Sequence, residues 1–191
     1  MRKVVITGIG AVTPLGNDIN STWDNIIRRR SGISQITKFD AAALPVRIAG
    51  ELKDFVPEAF LPAKDILRLD PFVHYAAAAA FMACEDAGLQ SQDVLIIKSR
   101  LDSAGIIIGS SRGGITSMEK ALEGHLLKGK PFSAYLMSAS TINMAAAYIS
   151  MKLGIKGPSL GLSTACASGS NAIGEAFRMI QHGDIDIALA G

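Results

Sequence analysis

Residues 159–171 read Ser159-Leu160-Gly161-Leu162-Ser163-Thr164-Ala165-Cys166-Ala167-Ser168-Gly169-Ser170-Asn171. A short apolar run enters a cysteine flanked by small residues, and a helical pattern begins almost at once. Ala165, Ala167, Ser168 and Gly169 permit the tight, strained strand-to-helix turn of a nucleophile elbow. The helix, read from Gly169 to His182, carries Ala172, Ile173, Ala176, Phe177 and Ile180 on one stripe. His182 and Gly183 close it.

Outward from this junction, three further segments read as buried strands beside Ser159–Thr164: Val4–Ile9, Ala104–Gly109 and Ile185–Ala190. Each is short and apolar on both faces, as a sheet covered on both sides requires. Helical patterns lie between them at Ser21–Arg30, Pro71–Ala87, Ile115–Leu127 and Ser140–Leu153. The alternation predicts a three-layer α/β domain with a mainly parallel sheet. No repeat and no linker-like stretch divides the chain. The buried-type strand at the very C-terminus reads as part of something larger.

A chain of 191 residues holds one good-sized domain. With 49% hydrophobic and 19% charged residues, it has ample apolar surface to offset chain entropy, which excludes a disordered segment. The net charge of +2, with no basic run beyond Arg28-Arg29-Arg30, does not favour nucleic acid as a partner. Two cysteines make no disulfide framework and suit a reducing, cytoplasmic compartment. The longest uncharged apolar run, Tyr75–Cys84, is half a membrane span. The opening VVITGIGAV superficially resembles a signal peptide but lacks a small-residue cleavage site. Gly8, Gly10 and Pro14 punctuate it as a strand entering a turn.

At the start of a helix, unpaired N–H groups and the positive end of the dipole favour a Cys166 thiolate. A neighbouring N–H can bind the oxyanion of an attacked thioester. Thiolate attack on a thioester is nearly an even exchange, so cysteine suits transient acyl storage. The residues alone also allow Cys166 to be a small buried residue at a tight junction. Cys84, in AAAAAFMACEDAG, reads as core.

TACASG around Cys166 resembles the active-site motif of the elongating β-ketoacyl-acyl-carrier-protein synthases of the thiolase superfamily. VVITGIGAVTPLG, SGI at Ser31–Ile33, ITKFD, IIIGSSRGG, STINM and GDIDIALAG match in order over the whole chain. The resemblance implies half of a five-layer αβαβα fold, with residues 1–191 as the N-terminal thiolase-like domain and the C-terminal half absent. It implies a ping-pong Claisen condensation. Cys166 takes an acyl group from acyl-carrier protein. Malonyl-carrier protein then loses carbon dioxide, and its carbanion attacks the stored thioester. The Cys166 N–H is one oxyanion donor. The implied partners are acyl-carrier protein, acyl and malonyl thioesters and a second copy in a homodimer. No cofactor, metal or membrane is expected.

The family's two histidines and lysine that drive decarboxylation belong to its second half. His182 lies a helix away from Cys166, on the order of 20 Å. His74 reads as partly buried packing and His125 as a solvated surface residue, so no Cys–His pair forms. At the family's apolar gate, GSGIGG, this chain has Gly109-Ser-Ser-Arg112-Gly-Gly114. A guanidinium is costly to bury against an alkyl chain. Either Arg112 points away, or the acyl group is short, polar or aromatic. Ser138 replaces a proline before Ala139, Ser140 and Asn143, a segment near the family's pocket, which makes Arg112 and Asn143 the substrate-binding candidates. Lys64 and Arg68 fall where the family docks its acidic carrier, or they belong to a solvated helix face. Leu67 occupies an expected basic position.

Three rival readings are weaker. A non-catalytic dimerisation or chain-length partner of the same fold fits the missing histidines but not Cys166. A dinucleotide-binding oxidoreductase is suggested by Gly8-x-Gly10-x-x-Thr13, where the third glycine is missing. A cysteine hydrolase would need a nearby general base.

Overall fold

The computed structural model describes residues 2–89 and 101–191. In chain order its helices are α1 (Ile19–Ile27), α2 (Ala63–Ile66), α3 (Pro71–Asp86), α4 (Ile115–Lys128), α5 (Leu136–Ser140), α6 (Met144–Leu153) and α7 (Ser168–His182). Its strands are β1 (Ile33–Gln35), β2 (Ile48–Gly50), β3 (Ala104–Gly109), β4 (Ser159–Leu162) and β5 (Ile187–Ala190).

Three consecutive isoleucines make β3 the hub. It lies between β4 and β5, parallel to both, with Ile107 opposite Leu160 on one side and Ala190 on the other. Side chains alternate across a strand, so Ile106 and Ile108 face one core and Ile107 the other. The first core packs them against Val73, Ala77 and Ala80 of α3 and Ala145, Ala146 and Ile149 of α6. The second packs Ile107 against Ala172, Ala176 and Met179 of α7 and against Ile185. Helices on both faces of a parallel sheet give the three layers expected. Among the described strands, burial on both faces holds for β3 from Ala104 to Ile108, whereas Ser159 and Leu160 of β4 are exposed.

Alanines spaced along α3 let its backbone lie close to α6. Asp70 starts this helix, with Pro71 at the first helical position where its missing N–H costs nothing. Its carboxylate is 2% exposed and fully used. One oxygen accepts from Phe72 N at 3.0 Å, and the other from Ser117 N at 2.7 Å in the first turn of α4. Gly114, which precedes α4, has no side chain to cap it, so Asp70 caps two helices at once. At the far end of α2, Asp65 accepts from Tyr148 Oη at 2.9 Å and pairs with Lys152 Nζ at 2.8 Å, fastening α2 to α6. The Lys152 bond and then the Tyr148 hydroxyl hold the Asp65 carboxyl below its usual range.

Several elements differ from the sequence expectations. Residues 4–9 form no strand; Val5 and Ile6 are exposed, and Gly8 and Gly10 press against the backbone of α3 at Ala79 and Ala83. The packing is backbone-on-helix, so apolar side chains that read as buried face outward. The helix expected over 140–153 starts only at Met144, because Thr141 is extended and caps a separate short helix, α5, ahead of it. The antiparallel ribbon of β1 and β2 has no counterpart in the sequence reading. The first helix runs Ile19–Ile27 where Ser21–Arg30 is expected, α2 also lacks a counterpart in the sequence reading, and Gly183 at φ 87° ends α7 as expected.

Candidate active site

The carboxyl ends of β3 and β4 lie side by side, and three loops meet there. Parallel strands expose their ligand crevices at this edge. Residues 163–167 follow β4, residues 110–114 follow β3, and the α5–α6 connection packs against the latter loop and against β4 itself. Gly114 N donates to Ser140 O at 3.1 Å, and Ser110 N to Leu162 O at 2.9 Å. The Ser163 hydroxyl reaches Ser111 O at 3.5 Å. Gly161 abuts the backbone of Asn143, where a Cβ would clash. These bonds tie the loop that carries Arg112 to the start of the loop that carries Cys166, and Asn143 lies against β4.

Cys166 is exposed, two residues before α7 begins. The residue before it, Ala165, has φ 52°, a left-handed conformation that a non-glycine residue rarely adopts. Such strain costs on the order of 1–3 kcal/mol and is held by its surroundings. Here it is the turn that lifts the thiol out of the strand and onto the surface, which is the elbow expected from 159–171. Gly109, at the end of β3, touches the Ser168 backbone so closely that a Cβ has no room. The second cysteine is the opposite case. Cys84 is 8% exposed on α3, and burial pushes its thiol up from the ordinary range.

Arg112 and Asn143 are both exposed. The guanidinium therefore bears no burial penalty, as the first of its two alternatives requires. None of the three histidines faces Cys166. His74 is 6% exposed with its Nε2 buried and unpartnered, more deeply buried than expected. His125 is exposed near the end of α4, stacked on Phe132 at 4.5 Å. His182 ends α7, 3.5 Å from an Arg178 nitrogen. Among the described residues no group of His, Cys, Asp or Glu could hold a metal ion.

Lys64 and Arg68 are exposed on α2 and the turn after it, apart from the Cys166 loop. Arg68 lies over the Tyr135 ring at 4.7 Å and borders a cleft of about 300 Å³. Lys120 of α4 and Lys130 also line this cleft, and no acidic side chain does. Leu67, 87% exposed, sits at its rim. Lys120, Lys130 and Tyr135 were not singled out in the sequence. They come from segments more than fifty residues beyond Arg68, and nothing local signals that they converge.

The fold and the elbow define a class that comparison makes specific. The chain belongs to the β-ketoacyl synthase family: the description "Beta-ketoacyl synthase, N-terminal domain" matches residues 1–191. It is similar to 3-oxoacyl-[acyl-carrier-protein] synthase 2 of Coxiella burnetii (strain RSA 493 / Nine Mile phase I), with 40% identity over 191 residues, which are 100% of this chain and 45% of that protein. The chain thus spans about half the length of the curated relatives it matches. Among solved structures it resembles the ishigamide ketosynthase/chain length factor, with TM-score 0.86 and 28% identity over 98% of this chain and 46% of that one. A type II PKS acyl-carrier protein in complex with its ketosynthase bound to the hexaketide gives TM-score 0.74 and 26% identity, covering 98% of this chain and 49% of that one.

Proposed function

We propose that this chain is the acyl-accepting half of a 3-oxoacyl-[acyl-carrier-protein] synthase of fatty acid or polyketide biosynthesis. The observation that carries the reading is Cys166, exposed on a left-handed elbow at the start of α7 in a chain of this family. The Cys166 thiolate attacks the thioester carbonyl of an acyl-carrier protein, and the oxyanion draws on the Cys166 N–H. Collapse expels the carrier thiolate, which takes up a proton, and leaves the acyl group on Sγ. In the second half-reaction malonyl-carrier protein loses carbon dioxide. Its carbanion forms the new carbon–carbon bond, and Cys166 leaves as thiolate.

Arg112 and Asn143 flank the acyl group in this reading. The carrier docks on Lys64 and Arg68, and the acid-free cleft of Arg68, Lys120 and Lys130 extends that basic surface. Acyl-carrier protein as partner is supported by the solved carrier–ketosynthase complex. Residues 1–191 act as one N-terminal domain, as a homodimer, in the cytoplasm; among the described residues no helix is long and apolar enough to cross a membrane.

The test is single-turnover acylation. Incubation with an acyl-carrier protein should add one acyl mass to the peptide bearing Cys166 and none to a Cys166→Ala variant. Acyl groups on other residues, or none at all, would refute the reading.

A further inference from the structure

We infer that Ser168 is a positioning residue for Cys166, holding Ala165 in the left-handed turn that presents the thiol; the inference rests on the reading of Cys166 as acyl acceptor. Ala165 at φ 52° keeps that conformation only if its surroundings over-determine it. The Ser168 side chain supplies the determination. Its Oγ accepts from Thr164 N at 2.9 Å and donates to Ala165 O at 2.6 Å. One hydroxyl thus ties the N–H of the 163–164 peptide to the carbonyl of the 165–166 peptide, spanning Thr164 and the strained Ala165. The backbone bonds that also close the turn, Ala167 N to Thr164 O and Ser168 N to Ala165 O, are longer at 3.2 Å each.

Ser168 is itself fixed. It is 3% exposed, so water does not replace it, and Gly109 packs against its backbone. It opens α7 after Ala167, which caps nothing, and its hydroxyl faces back into the elbow. Asn171, one turn into the helix, donates from Nδ2 to Thr164 Oγ1 at 2.7 Å and steadies the other end of the clamp. No group in this set touches an acyl donor; all of them act through the backbone that carries Cys166.

The test follows acylation of the chain by a hexanoyl thioester of N-acetylcysteamine, read by mass spectrometry at Cys166, with melting temperature measured beside it. Ser168→Ala removes both bonds and should slow acylation by at least about tenfold, the scale that a single lost hydrogen bond already sets. The double variant Ala165→Gly with Ser168→Ala should return to within about threefold of wild type, because glycine adopts a positive φ freely. A merely structural role would lower melting in both variants and restore the rate in neither. Equal rates in wild type and Ser168→Ala, or a double variant as slow as the single one, would overturn the inference while leaving the acyl-acceptor reading intact. A wild type that takes no acyl group would remove both. Should Ser168→Ala fail to fold, Asn171→Ala at its exposed site should slow acylation about threefold at unchanged melting temperature, and an unchanged rate would overturn the inference.

Discussion

Cys84 and Cys166 show how much a thiol depends on where the chain puts it. Cys84 is buried in α3 with its thiol pushed up by desolvation, whereas Cys166 stands exposed at the elbow. Reactivity follows access and thiolate character. Iodoacetamide should therefore label Cys166 at least about tenfold faster than Cys84 in the folded chain, as peptide mapping would show; labelling of Cys84 first would contradict the exposure difference. Gly109 offers a second test, since a Cβ there meets the Ser168 backbone and neither neighbour is a flexible side chain. Gly109→Ala should cost about 1–3 kcal/mol in a denaturant melt and should slow Cys166 modification as well. Cys166 itself was legible in the sequence, because an apolar run, small residues and a helix start leave a mark within twelve residues. The part played by Ser168 was not, because any small residue satisfies the same pattern. It emerges only from the two hydrogen bonds that the Ser168 hydroxyl makes around Ala165 at positive φ.

The elements were legible where one segment decides its own structure. β3 falls on the expected residues, and α3, α4 and α7 agree within one residue at each end. Residues 4–9 were misread because β-branched residues beside glycine look the same whether or not another strand pairs with them. The late start of α6 turns on the extended backbone at Thr141, which periodicity does not weigh. Burial of polar groups on these elements makes stability depend on pH. Burial lowers the His74 pKa below the ordinary 6.5, against the opposing carboxylates of Asp70 and Glu58. Below pH 6.5 the unfolded chain takes up a proton that the folded chain refuses, so stability falls with pH until the folded value is reached. Asp65 has a pKa below its ordinary 3.8. Its contribution is present above that value and is lost as pH falls through the folded one. Melting temperature should therefore decline from pH 7 to 5, and His74→Phe should flatten this limb but not the steeper one below pH 4. An unchanged slope in His74→Phe would contradict the assignment.

For the molecule as a whole, the alternation of strands and helices made the three-layer class legible, but not the order β4-β3-β5. That order depends on packing between segments separated by more than fifty residues. The site is likewise composite, and it lacks a histidine facing Cys166. The 191-residue chain on its own should accept an acyl group and yet form no carbon–carbon bond from acyl- and malonyl-carrier proteins. Chromatographic detection of a 3-oxoacyl product would contradict this. The central place of β3 has a further consequence during synthesis. It is the first of its sheet to leave the ribosome, and both its neighbours are encoded downstream, from Ser159 and Ile187. At about 5–20 residues per second, the isoleucines wait roughly 3–10 s for the first of them. For that interval Ile106 and Ile108 have the earlier-made α3 to pack against, whereas Ile107 lacks every residue of the core that later buries it.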